Sequence, residues 1–298
     1  MDFGGGWTDV PPYSEREGGY VCNLAITRFA IASIAEGEPV PNERDDALVA
    51  AAVRRSGLTG IRVTVESDFP VGAGLGGSSA ASAAVLGALA AWRDEPWDLR
   101  AIAEAGRTIE VEDLGVAGGR QDHYAATHGG ALGLRFTDTV EIERLPLSDE
   151  FRRDLVARSV IIFTGQSRIS GDTIAGVIGA YLERDRRVCA ALKRVRELAE
   201  EMSGVLRQGD VDYLAALVDE HWASQRVLHP AIPTPLIDEI IACAKKNGGA
   251  GAKALGASGG GCVLIIAREG RADEVRRAVG SLGQLLEFDV ALDGLKRL

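Results

Sequence analysis

Aromatic residues make up only 5% of this 298-residue chain, and cysteine and histidine number four each. The cysteines, Cys22, Cys189, Cys243 and Cys262, stand far apart with no C-x-x-C pair. That spacing excludes a disulfide scaffold and a structural zinc site, and it fits free thiols in a reducing cytoplasm. His123, His128, His221 and His229 form no metal-ligand pattern either. No apolar run reaches the roughly 20 residues that a membrane helix needs. The opening residues, Met-Asp-Phe-Gly-Gly-Gly-Trp, carry neither a basic region nor an apolar core. Positive charge is short as well: 33 Lys and Arg stand against 43 Asp and Glu, a net charge of −10. Without a basic cluster, such a chain excludes nucleic acid as a partner. If it binds a polyanion, it must supply positive potential locally, from a divalent cation, helix N-termini and a few placed Lys or Arg.

Glycine, in contrast, is abundant at 37 residues, and its densest use is Asp68-Phe-Pro-Val-Gly-Ala-Gly-Leu-Gly-Gly-Ser-Ser-Ala80. Residues 60–66 before it alternate as a strand does, and residues 80–92 after it are small, apolar and helical in character. Ser78 or Ser79 is placed to cap that helix. Strand, glycine loop and buried helix together form a cradle in which loop amides and the free N–H groups of the first helical turn converge on an anion. The cradle residues are Gly72, Gly74, Leu75, Gly76, Gly77, Ser78 and Ser79. Gly72, Gly74 and Gly77 satisfy G-x-G-x-x-G, but no second strand ending in an acid follows, which weakens the reading as an NAD-dependent oxidoreductase to a rival. No Gly-Lys-Ser/Thr follows the glycines, which excludes a Walker A loop.

The rest of the chain reads as α+β. Residues 2–14 form a loop, and residues 18–26 and 29–34 form the two strands of a hairpin. A polar link, 36–42, precedes a helix at 45–55. Residues 98–114 are helical in period, with Ile102, Ala105, Ile109 and Leu114 on one face. Gly115–Gly119 ends that helix, residues 120–128 form a short one, and strands at 131–136 and 140–145 complete a first domain, residues 1–147. The second domain, 148–298, opens on a strand at 159–165 and continues as helices at 172–202, 211–225 and 235–246. It ends with strands at 261–267 and 285–292 around a helix at 272–282. A second glycine turn, Gly256-Ala-Ser-Gly-Gly-Gly261, lies in this half.

The 68–80 stretch resembles the P-x-G-x-G-L-[GS]-S-S-A loop of the GHMP kinases. Gly119-Arg-Gln-Asp122 and Gly251-Ala-Lys-Ala-Leu-Gly-Ala-Ser-Gly-Gly-Gly-Cys262 follow in the family's order, with Ser258 where a glycine is usual. Together with Phe3-Gly-Gly-Gly-Trp-Thr-Asp-Val-Pro-Pro-Tyr13 and Phe163-Thr-Gly-Gln-Ser-Arg168, they look most like D-glycero-D-manno-heptose 7-phosphate kinases, with L-fucokinases close behind. The resemblance implies a ribosomal-protein-S5-like N-terminal domain, a ferredoxin-like C-terminal domain and a site between them. It implies ATP and Mg²⁺, and a cytoplasmic enzyme that phosphorylates the anomeric hydroxyl of a sugar or sugar phosphate. Asp122 is then the catalytic base, although an aspartate there also suits a helix N-cap. Glu110 and Ser79 hold Mg²⁺, with Ser78 as the alternative to Ser79. Trp7, Thr8 and Asp9 clamp the sugar, the carboxylate taking vicinal hydroxyls and the indole offering a flat apolar face. Gly256, Gly259 and Gly260 close the site beside the phosphate loop, and Lys253 is assigned no role.

A heptose 7-phosphate brings a dianion of its own, for which Arg168 and Arg28 are the candidate cations. The alternatives are an L-fucokinase or galactokinase-like enzyme, and a truncated or inactive ligand-binding member of the fold. Partners other than the small-molecule substrate are not expected; self-association as a homodimer stays open. In the families resembled, a strand carrying Arg or Lys leads into the glycine loop, nine positions before the clamp aspartate. Counting back from Asp9 places it one residue before Met1, so the expectation is a functional protein that begins upstream.

Overall fold

Three antiparallel sheets organise the computed structural model, which describes residues 1–38, 46–166 and 171–298. Its strands are β1 (Asp2–Gly4), β2 (Gly19–Leu24), β3 (Ala30–Glu36), β4 (Ile61–Ser67), β5 (Ala131–Phe136), β6 (Val140–Leu145), β7 (Ser159–Phe163), β8 (Gly249–Ala254), β9 (Cys262–Ala267) and β10 (Gln284–Leu286). The helices are α1 (Tyr13–Glu17), α2 (Asp46–Ser56), α3 (Gly77–Trp92), α4 (Leu99–Thr108), α5 (Gln121–His128), α6 (Asp149–Arg158), α7 (Gly171–Leu182), α8 (Arg186–Gln208), α9 (Val211–Gln225), α10 (Pro235–Lys246) and α11 (Ala272–Val279). A single π-helical turn, Ile109–Asp113, extends α4. The first sheet runs β1-β2-β5-β6, the second pairs β3 with β4, and the third runs β10-β7-β9-β8. The third is the 4-1-3-2 order of a ferredoxin-like β-α-β-β-α-β unit, and the fold is α+β as the sequence implies. No helix among the described residues is long and apolar enough to cross a membrane.

Strand β2 is buried at every residue because helices cover both faces of its sheet. Tyr20, Cys22 and Leu24 alternate towards α8, where Leu198, Ala199 and Met202 meet them in the largest hydrophobic cluster. Val21 joins Tyr124 of α5, Ala103 of α4 and Leu132, Leu134 and Phe136 of β5 in a separate cluster. The cluster shared with α8 also takes in Leu255, Cys262 and Leu264, so side chains from both sides of residue 147 make one core.

Several local expectations change. Residues 19–24 and 30–36 are strands but not partners: β2 pairs with β1 and β5, and β3 with β4. Alternation alone identifies a strand and says nothing of its neighbour. The helix expected at 172–202 is two, because Arg184 adopts φ +59° and Asp185 caps a new helix, accepting from Arg187 N (2.8 Å) and Val188 N (3.1 Å). Helix α6 had a readable start in Ser148, which accepts from Phe151 N at 3.1 Å. Strand β8, Gly-Ala-Gly-Ala-Lys-Ala, has a loop's composition for a packing reason: a side chain at Gly251 would collide with the Ala215 carbonyl of α9. The link at 36–42 lies mostly outside the described residues. Residues 2–4, read as loop, form β1, and the Met1 amine donates to Leu24 O at 2.8 Å.

Candidate active site

The phosphate loop is a glycine turn braced from behind by the second glycine turn. Gly74 has φ +71°, and a Cβ there would lie 2.8 Å from Leu255 O, so both conformation and approach require glycine. The brace is reciprocal: a Cβ on Gly256 would lie 2.9 Å from the Gly74 Cα, and Cys262 N donates to Ala73 O at 2.8 Å. Gly260 packs on Gln166 O (2.6 Å to a Cβ), and Gly259 N donates to Ile232 O at 2.9 Å. Ser258 adopts φ +65° where glycine is usual and is held by Gln225 Nε2 at 3.0 Å. Gly72 has φ +72°, Leu75 packs on the largest cluster, and Gly77 leaves room for the Phe69 ring. Helix α3 is capped by Gly76 at φ +72° with no side-chain bond, so neither serine is the cap. Both sit inside the first turn, whose N–H groups stay free for an anion.

Asp122 reaches this loop directly. A Cβ on Gly76 would lie 3.0 Å from its Oδ1, and burial pushes its carboxyl above the ordinary range. It makes no capping bond; the competing N-cap reading of Asp122 fails. The cap of α5 comes from Asp9 instead, whose Oδ2 accepts from Arg120 N (2.8 Å) and Gln121 N (3.0 Å). Glycine at 119 is obligatory because a side chain there would occupy the Asp9 carboxyl. Asp9 is 2% exposed, not the open carboxylate expected, and burial raises its pKa to about 6 against the pull of those two amides. Its Oδ1 makes no hydrogen bond among the described residues and remains available.

Glu110, in the π-helical turn, is held by a residue the sequence reading passed over: His123 Nε2 lies 2.9 Å from Glu110 Oε2. A carboxylate only accepts, so the proton sits on Nε2. Glu110 Oε1 and the Ser79 hydroxyl make no hydrogen bond among the described residues. Ser79 is buried and Ser78 exposed. Ser79 shares a helix face with Ser82, which meets Gly106 of α4 beside His123, the side from which Glu110 comes. The donor set fits Mg²⁺: hard oxygens, one carboxylate and one hydroxyl, with phosphate oxygens and water to complete it. No group of three or more His, Cys, Asp or Glu that could hold a metal occurs among the described residues.

Other candidates have different duties. Thr8 is fully buried; its Oγ1 accepts from Tyr20 N (3.1 Å), and its single proton faces Gly5 O (2.7 Å), with Tyr20 O at 3.1 Å. Its proton is taken by the turn and its burial is complete, so it is not open to a sugar. Trp7 lies in a hydrophobic cluster with Val10, Tyr13, Tyr181 and Leu192, so its ring is core and not a platform. Arg168 lies outside the described residues. Arg28 donates to Asp68 O (3.0 Å) and Glu287 O (2.5 Å), a structural tie. Lys253 is no surface charge: fully buried, its Nζ donates to Asp2 Oδ2 (2.9 Å), Asp2 O (3.1 Å) and Phe3 O (3.2 Å), locking β8 to β1. His221 Nε2 accepts from Gly5 N at 3.0 Å, steadying the same glycine segment.

The chain matches the models for the GHMP kinases N terminal domain over residues 46–130 and for the GHMP kinases C terminal over residues 190–284. The D-glycero-alpha-D-manno-heptose 7-phosphate kinase of Campylobacter jejuni is 30% identical over 77% of this chain and 68% of its own length. The bifunctional fucokinase/GDP-fucose pyrophosphorylase of Arabidopsis thaliana is 29% identical over 97% of this chain, which spans only 31% of that protein. The crystal structure of a D-glycero-D-manno-heptose 1-phosphate kinase from Bacteroides thetaiotaomicron shares the fold, with a TM-score of 0.79 over 100% of this chain and 97% of its own at 24% identity. A braced glycine loop facing a half-buried aspartate, and both family halves matched in order, lead to one conclusion: the chain belongs to the GHMP kinase family.

Proposed function

We propose that this protein is an ATP-dependent sugar kinase that phosphorylates the anomeric hydroxyl of a sugar phosphate, with heptose 7-phosphate as its preferred acceptor. The observation that carries the reading is the Asp122 carboxyl, half-buried against Gly76 of the phosphate loop and next in sequence to the Gln121 backbone that Asp9 holds. Loop amides and the start of α3 receive the nucleotide phosphates. Asp9 Oδ1 accepts a hydrogen bond from a sugar hydroxyl and fixes the ring. Asp122 takes the proton of the anomeric hydroxyl as that oxygen bonds to the γ-phosphorus and the bond to the ADP oxygen breaks. Burial, which raises the Asp122 carboxyl, makes it a stronger base once ionised. Ser79 and Glu110 would hold Mg²⁺, whose part is to neutralise charge on the phosphate oxygens, and His123 keeps Glu110 in place.

The test is ADP release with ATP and Mg²⁺ across heptose 7-phosphate, free heptose, L-fucose and D-galactose. The reading expects the highest kcat/KM with heptose 7-phosphate. A free sugar that exceeds it overturns the choice of acceptor, and ATP binding without turnover of any acceptor overturns the activity.

A further inference from the structure

Two cations lie where α4 packs against α5, the helix that Asp9 caps, one with no partner and the other with a single long ion pair to Glu104. Arg107 lies in the last turn of α4, and Arg120 immediately precedes α5. Arg107 is half-buried, its Nε is sealed from solvent without a partner, and it makes no hydrogen bond or ion pair among the described residues. Arg120 Nε is likewise buried without a hydrogen bond. Its nearest acid is Glu104, at 3.8 Å, whose other oxygen is engaged by the Tyr124 hydroxyl at 2.6 Å. Every other described arginine with comparable or deeper burial donates to a carbonyl or a carboxylate, as Arg28, Arg158, Arg196 and Arg276 do. Burial and then the charge of Arg120 hold the Arg107 guanidinium below its usual range, against the pull of Glu104, Asp9 and Glu15. Two like charges kept partly out of water cost free energy until an anion joins them.

Their position says which anion. The backbone N–H of Arg120 holds Asp9, whereas Asp122, two residues on, meets the phosphate loop. The arginines therefore belong to the acceptor's end of the site and not to the nucleotide's. We infer that Arg107 and Arg120 together bind the phosphate group that the acceptor sugar already carries, and so make the enzyme selective for sugar phosphates over free sugars. Paired guanidiniums suit a phosphate dianion because each offers parallel N–H donors to two of its oxygens. The inference rests on the sugar-phosphate reading above.

The experiment measures kcat/KM for heptose 7-phosphate and for free heptose, with saturating ATP and Mg²⁺, in the wild type, Arg107→Gln, Arg107→Lys and Arg120→Gln. Calorimetric titration of heptose 7-phosphate into each protein without ATP gives a second readout. The expected result is a ratio of the two kcat/KM values that falls by about 10- to 100-fold in Arg107→Gln and Arg120→Gln, with less loss in Arg107→Lys, and a matching drop in affinity. A ratio within twofold of wild type in the glutamine variants overturns the inference and leaves the proposed acceptor standing. Should Arg107→Gln not fold, Arg120→Gln and Arg107→Lys carry the same comparison. A rise in the KM for ATP at an unchanged ratio places the arginines on the nucleotide and also overturns it. A wild type that prefers the free heptose removes the proposed acceptor, and this inference with it.

Discussion

Replacing Asp9 by asparagine makes the protein more stable and the enzyme worse, and the two effects have one cause. Asp9 is 2% exposed, and its pKa of about 6 is set by burial, with backbone bonds from Gln121 and Arg120 working the other way. Raising a carboxyl from 3.8 to about 6 in the folded state corresponds to about 3 kcal/mol in favour of its protonated form. The sign follows from which state releases the proton first. Below pH 3.8 both states are protonated and folding loses nothing. As pH rises from there, the unfolded chain ionises first, so stability falls until the native carboxyl has titrated, past about pH 6. The loss is roughly half developed at pH 5 and complete near pH 8. Asparagine keeps an oxygen for Arg120 N and Gln121 N and abolishes the titration. Thermal midpoints of the two proteins should therefore diverge between pH 5 and pH 8, the variant gaining about 1.5 kcal/mol, or roughly 2–3 °C, over that interval. The acceptor's KM should rise by roughly 10-fold or more, because a hydroxyl loses a charged partner. A gap that stays constant with pH, or a variant that melts below the wild type at pH 8, refutes the reasoning.

Other substitutions test other parts of the site. Lys253→Met leaves the buried Asp2 carboxylate unpaired and should cost about 3–5 kcal/mol in denaturant unfolding, part of it regained in the double variant with Asp2→Asn; wild-type stability in the single variant would contradict the buried pair. Ser79→Ala should raise the Mg²⁺ concentration for half-maximal rate by roughly 10-fold, and more than Ser78→Ala does, because Ser79 faces the side of Glu110; the reverse order would move the metal to Ser78. Gly74→Ala forces a Cβ towards Leu255 O, 2.8 Å away, at φ +71°, so it should lower stability by about 1–3 kcal/mol and raise the KM for ATP; an unchanged KM would separate the loop from the nucleotide.

The features legible in the sequence were those with local causes. Glycines at 72, 74, 76 and 256 all adopt positive φ, and a backbone rule reads them without knowing the partner. The strands read at 131–136 and 140–145 coincide with β5 and β6, which pair with each other across one short turn. What stayed hidden depends on long-range packing. Lys253 is assigned no role from the sequence because its partner, Asp2, lies 251 positions away. The loop-like composition of β8 arises from contact with α9, and Thr8 is consumed by a strand twelve residues on. Asp9 is assigned to the sugar clamp by resemblance alone, and its capping of α5 from a distant loop has no signature in either segment. Arg107 carried no motif; its lack of a partner becomes visible only beside the other partly buried arginines among the described residues, which, Arg120 apart, all donate a hydrogen bond.

The most direct test of the account follows the anomeric carbon of heptose 7-phosphate by ³¹P–¹H correlation while ADP release is measured in wild type and Asp122→Asn. The account predicts a new phosphate ester on the anomeric oxygen, one per ADP. It also predicts a kcat for Asp122→Asn lower by roughly 10²–10⁴, with ATP affinity retained. An Asp122→Asn enzyme that forms the same ester at the wild-type rate would contradict it.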